Sequence, residues 1–110
     1  MNPVEEQLDA YNARDIERFV NCFAPDVVVE NASGATILTG HDGLRERYGA
    51  MFANSPNLHC RLGQRIRVGD HVIDEEFITG RNREGAPAEI HAAVIYQVAN
   101  GKIIRMRAIS

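Results

Sequence analysis

Apolar residues change their spacing once along this chain, near residue 58, and that change constrains the fold more than any single motif. Before it, Val4, Leu8 and Tyr11 recur at i, i+4 and i+7, and Ile16, Phe19, Val20 and Phe23 form a second stripe, the spacing of residues that share one helix face. Beyond it, Leu58, Cys60, Leu62, Ile66 and Val68 alternate with His59, Arg61, Arg65 and Arg67, the period of a half-buried strand. Helices come first and strands follow, so the chain is expected to be an α+β domain whose sheet curls around helices held on one face.

The punctuation fits that order. Pro3 sits at the first turn of the first helix, Asp15 can cap the second, and Pro25 is expected to end it. A third helix is predicted through "HDGLRERYGAMFAN", with Leu44, Arg47, Tyr48 and Met51 along one face and Pro56 beyond its end. Gly69-Asp70 and Asn100-Gly101 are turn sequences that join the later strands into two hairpins, "LHCRLGQRIRV" to "HVIDEEFITG" and "EIHAAVIYQV" to "KIIRMRAI". Between the hairpins "RNREGAP" reads as a polar loop.

Composition removes several function classes. The 110 residues, 45% hydrophobic and 25% charged, match one compact domain over residues 1–110. A net charge of −3 with signs interspersed supplies no basic stripe for nucleic acid, and no apolar run approaches a membrane span. "MNPVEEQLDA" has neither the basic flank nor the apolar stretch of a secretory signal, so a cytoplasmic setting is expected. Cys22 and Cys60 lie in apolar segments without metal-ligand spacing, and are expected to be reduced and buried. His59 and His91 have no second ligand at a suitable spacing, so no metal is expected.

Three stretches, "YNARDIERFVNCFAPDVVVEN", "LTGHDGLRERYGAMF" and "YQVANGKIIRMRAIS", together give the chain a resemblance to the nuclear transport factor 2-like superfamily, in its SnoaL-like and ketosteroid-isomerase-like branch. The resemblance implies a cone-shaped, cystatin-like roll, with three N-terminal helices packed in a strongly curved antiparallel sheet. It also implies a deep small-molecule pocket at the open end, side-chain chemistry without a cofactor, and a homodimer through the outer sheet face. The family's steroid isomerases use an Asp base and two oxyanion donors, a Tyr and a protonated Asp. By position these fall on Asn31, Gln7 and about Val94, and none is retained. Asn and Val cannot exchange a proton at neutral pH, so that double-bond shift has no machinery at these positions.

The run Asp74-Glu75-Glu76 interrupts a strand, and alternation puts Asp74 and Glu76 on one face and Glu75 on the other. A two-residue turn at Gly69-Asp70 would align Leu62, Ile66, Ile73, Glu75 and Phe77. A three-residue loop through His71 would instead set Asp74 and Glu76 beside Leu62, Gln64 and Ile66. Hydrophobicity favours the first arrangement and the resemblance favours the second. In the second, two carboxylates about 7 Å apart on a concave wall repel by about 2 kcal/mol, enough to move one pKa upward by more than about a unit and bring that group closer to holding a proton near neutrality. The structural alternative pairs them with Arg47, Arg61 or Arg65 on a solvated face.

The expected site therefore has Asp74 and Glu76 as its catalytic pair, with Tyr11, Asn31, Arg47, Tyr48, Leu62 and Tyr96 as substrate-binding residues. Asn31 is expected at the pocket floor and Arg47 at its mouth. For each tyrosine plain core packing is the competing role. The functional expectation is a cofactor-independent acid–base enzyme of isomerase, hydrolase or lyase type acting on a small, partly apolar molecule. Its alternatives are a ligand-binding homodimer without turnover and an interaction module with a vestigial pocket.

Overall fold

The computed structural model describes residues 2–110, which leaves Met1 of the expected 1–110 domain outside it. Helix α1 (Pro3–Ala13) starts at Asn2, whose side chain accepts from the Val4 amide, and stops where Arg14 turns left-handed at φ 53°. Helix α2 (Ile16–Val20) is capped by Asp15 as expected, but it ends at Val20. Phe23, expected on its stripe, opens strand β1 (Phe23–Glu30), and Pro25 lies inside that strand. It falls between Phe23 and Val28, where pairing to the neighbouring strand breaks register, so its missing N–H costs no ladder bond. Strand β2 (Thr36–Thr39) then leads into α3 (Gly40–Asn54).

Strands β3 (His59–Val68), β4 (His71–Thr79), β5 (Glu89–Ala99) and β6 (Lys102–Ile109) form an antiparallel meander within a sheet of order β2-β1-β6-β5-β4-β3. Four of the five strand pairs are antiparallel, and the β1–β6 pair is parallel. The β5–β6 turn has Asn100 at φ 53° and Gly101 at φ 76°, the paired positive angles of a tight primed hairpin turn. Helix α1 touches both β3 and β6, although β4 and β5 lie between them. Helix α1 therefore spans the inner face of the meander from one of its outer strands to the other. Among the described residues no helix is long and apolar enough to cross a membrane.

The β3–β4 hairpin settles which face of the acidic strand looks inward, through a feature that neither turn alternative contained. Val68 pairs with His71 and Ile66 with Ile73, so Gly69-Asp70 is the two-residue turn. Between Leu62 and Arg65 the register then shifts, and Gly63 and Gln64 together oppose Glu75. Beyond this bulge Leu62 stands opposite Glu76. Burial alternates strictly along β4, with Val72, Asp74, Glu76 and Ile78 inside and Ile73, Glu75 and Phe77 outside. The expected three-residue loop through His71 is therefore corrected: Asp74 and Glu76 do face inward, but of the neighbours expected beside them only Leu62 is there, with Ile66 outside opposite Ile73 and Gln64 in the bulge.

At the end of β4, Gly80 has φ +78°, and a Cβ there would lie 2.1 Å from the Asn57 carbonyl oxygen. Only glycine lets the chain pass so close to the α3–β3 connection before it enters the loop that starts at Arg81.

Candidate functional site

A cavity of ≈ 220 Å³ lies between the helices and the inner sheet face. Its walls are largely apolar, with Leu8, Phe19, Met51, Ile78, Ile90 and Met106 among them. Aromatic contacts brace the helix side: Tyr48 lies 4.8 Å from Phe19, and Tyr11 meets Phe52 edge-on at 5.4 Å. Into this setting β4 sends Glu76 and β5 sends Tyr96 from the directly adjacent strand.

A directed hydrogen-bond chain fixes the Glu76 carboxyl. The Gln7 amide donates to the Val4 carbonyl (3.0 Å) and to the Tyr96 hydroxyl (3.1 Å), and the Tyr96 hydroxyl donates its one proton to Glu76 Oε2 at 3.0 Å. Gln7 thereby holds the Tyr96 hydroxyl in place. Glu76 is only 6% exposed and forms no ion pair among the described residues. Loss of water pushes its carboxyl above the ordinary 4.5. The Tyr96 hydrogen bond opposes this, the Asp74 charge adds to it, and Cys60 and Arg65 oppose it further. Burial likewise pushes the hydroxyls of Tyr48 and Tyr96 and the Cys60 thiol upward, which keeps all three protonated at neutral pH.

Asp74, the other expected catalytic carboxylate, sits elsewhere. It is fully buried and held by both prongs of Arg65, Nε to Oδ1 at 2.7 Å and Nη2 to Oδ2 at 2.8 Å, and it does not line the cavity. The pairing with Arg65 that the structural alternative foresaw is realised, but on the buried face. Leu62 also lies outside the cavity wall, opposite Glu76 but beyond the bulge that bends β3.

The remaining expected residues do come together. Tyr11, Asn31, Arg47, Tyr48 and Tyr96 all line the cavity. Asn31 belongs to the rim: it is exposed, and its Oδ1 accepts from Ser33 N, Ser33 Oγ and Ala35 N, which organises the β1–β2 turn. Arg47 is exposed at the mouth.

Sequence reasoning missed Arg81, which also lines the cavity. Its Nε is buried and makes no hydrogen bond to another described residue. Burial raises the Tyr11 hydroxyl pKa, and the neighbouring Arg81 guanidinium works against that rise. No periodicity separates Arg81 from Arg83 in "RNREGAP"; the one available signal was Gly80, a glycine ending a strand beside the cavity. Among the described residues no cluster of His, Cys, Asp or Glu has the grouping to hold a metal ion.

A family model described as "SnoaL-like domain" matches residues 4–106. No curated protein matches the chain significantly. Among solved structures, a cystatin-fold protein from Novosphingobium aromaticivorans superposes with a TM-score of 0.87 at 26% identity, covering 98% of this chain and 95% of that one. A protein from Sinorhizobium meliloti described as a polyketide cyclase gives 0.81 at 20% identity, with 98% and 94% covered. A protein of ketosteroid-isomerase-like fold from Catenulispora acidiphila, crystallised with trimethylamine, gives 0.78 at 24% identity, with 96% and 82% covered. The last two similarities establish shared architecture and leave chemistry to be argued from side chains.

Proposed function

Because the chain belongs to the SnoaL-like domain family, we propose that it is a cofactor-independent proton-transfer enzyme for a small, partly apolar substrate, with Glu76 as its proton-handling group. The observation that carries this reading is the Glu76 carboxyl, buried in a cavity wall, in no ion pair and aimed by Tyr96. A carboxyl that burial holds above its ordinary 4.5 keeps a proton more readily than an exposed one, which suits it to accept and return a proton. Tyr96 holds the group in one orientation and, through Gln7, is itself held. Tyr11 and Tyr48 keep their hydroxyl protons and can donate to a substrate oxygen as charge develops there. Asp74, bound to Arg65, has a structural part in this mechanism and takes no proton from substrate.

Titration of the glutamate carboxyl carbons by NMR tests the reading. Glu76 should titrate above 4.5, and Glu76→Gln should lower turnover of any substrate found by about 100- to 10,000-fold while leaving the fold intact. A Glu76 that titrates at or below 4.5 would remove the acid–base reading. The loss of the isomerase residues at Asn31, Gln7 and Val94 would then favour ligand binding without turnover. Mass spectrometry of molecules that copurify with the protein would identify the ligand in either case.

A homodimer through the outer sheet face belongs to the same reading. Ile66 and Val68 are 53% and 62% exposed there, beside the half-exposed Ile73 and Phe77, and such a face is stabilised by a cover. Sedimentation showing only monomer at micromolar concentration would remove the dimer from the proposal.

A further inference from the structure

We infer that the cavity selects an organic anion, whose carboxylate-type oxygen accepts from the Arg81 Nε–H and faces the Arg47 guanidinium while its apolar body lies against Phe19, Met51 and Ile90. The charge balance of the cavity leads there. Its charged lining residues are Glu30, Arg47, Glu76 and Arg81. Glu30 is already satisfied, accepting from Arg105 at 2.8 Å and from Arg107 at 3.2 Å. Neither Arg47 nor Arg81 has an ion-pair partner among the described residues. Among the charged side chains of the lining, two guanidinium groups without an ion-pair partner therefore stand against one unpaired carboxyl.

The Arg81 Nε–H makes the case sharper than net charge alone. A buried guanidinium donor with no acceptor in the protein is uncommon in folded proteins and calls for a partner from outside the chain, a water or a ligand oxygen. A planar guanidinium matches an oxyanion better than it matches a neutral carbonyl, because charge-assisted hydrogen bonds are roughly twice as strong. The position of Arg81 is fixed by the chain path: Gly80 passes hard against Asn57, so the loop leaves β4 at one place only. Arg47, on the exposed side of α3, supplies the second charge at the mouth, where it can draw an anion in before the inner contact forms.

This inference rests on the proposed reading of the cavity as the substrate site, but its test reads binding alone. Isothermal titration of the whole protein compares 2-naphthoate with its neutral isostere 2-naphthamide. The carboxylate should bind at least about tenfold more tightly. Arg81→Gln should abolish that preference, and Arg47→Gln, at an exposed site whose fold does not depend on it, should reduce it by a part that vanishes at high salt. Equal affinity for the two probes, no measurable binding of either, or a preference that survives both substitutions would overturn the inference. None of those results would alter the titration of Glu76 in the ligand-free protein. Conversely, a Glu76 of ordinary acidity leaves the carboxylate-to-amide ratio standing, so the two ideas fail separately.

Discussion

Asp74 and Glu76 are two residues apart on the same face of the same strand, and the protein treats them in opposite ways. At the Asp74 end of β4, Arg65 reaches across from β3 and closes a two-pronged ion pair around a carboxylate that solvent cannot touch. At the Glu76 end no cation arrives, and a tyrosine hydroxyl is the directed partner instead. The difference originates in β3: Arg65 and Leu62 both stand on the inner side only because the bulge at Gly63-Gln64 inserts one extra residue between them. One carboxyl is thereby held in an ion pair and the other is left without one. Identical chemistry has been divided by what stands opposite in the neighbouring strand.

The largest expected effect breaks the structural half of this comparison. Arg65→Met leaves Asp74 buried and unpaired, and should destabilise the protein by about 3–5 kcal/mol in chemical denaturation. Replacing both partners with apolar residues, Arg65→Met with Asp74→Leu, should recover most of that loss, since no charge is then stranded. If Arg65→Met alone is harmless, the pair contributes nothing and the contrast with Glu76 disappears.

Tyr96→Phe acts on the other half. It removes the donor to Glu76 and the acceptor of Gln7, and should cost about 1 kcal/mol. Because that hydrogen bond favours the ionised carboxyl, its loss should also move the Glu76 pKa further upward, read by carboxyl-carbon NMR. A downward movement would show that the hydroxyl favours the protonated form.

A smaller effect concerns pH. The Glu76 carboxyl is raised on folding from its ordinary 4.5, so the native state holds a proton that the unfolded chain has released, and stability falls as pH rises from 4.5 through the folded pKa. Glu76→Gln abolishes that decline. The variant should be more stable than wild type at neutral pH, and the gap should close as pH falls to 4.5 and below. A gap that persists at low pH would locate the effect in packing.

The smallest effect belongs to the third acid of the run. Glu75 points outward to His91, 2.7 Å away, in an exposed pair that water and salt screen. Glu75→Gln should leave the denaturation midpoint within error of wild type. Only a large loss would show that the outer face is buried in an assembly.

Much of the architecture was legible because it depends on local pattern. The helix stripes of α1 and α3, Pro3 in the first turn of α1, the cap at Asp15 and the Asn100-Gly101 hairpin turn follow from residue types at fixed offsets. Phe23 and Pro25 misled for the same local reason: a helical spacing ran on into residues that sheet pairing claimed. The site was legible where side chains follow strand alternation, as at Glu76 and Tyr96, and illegible where they do not. Arg81 sits in an aperiodic loop, and Asn31, expected at the floor, is held at the rim by its own turn.

The chain by itself determined that Asp74 and Glu76 share a face, because alternation is a covalent property of extended backbone. Which face that would be, and which of the two carboxyls would meet an arginine, only the tertiary structure decided. A bulge is a property of two strands in register rather than of either sequence, and desolvation of Glu76 requires helices, sheet and loop to close around it at once.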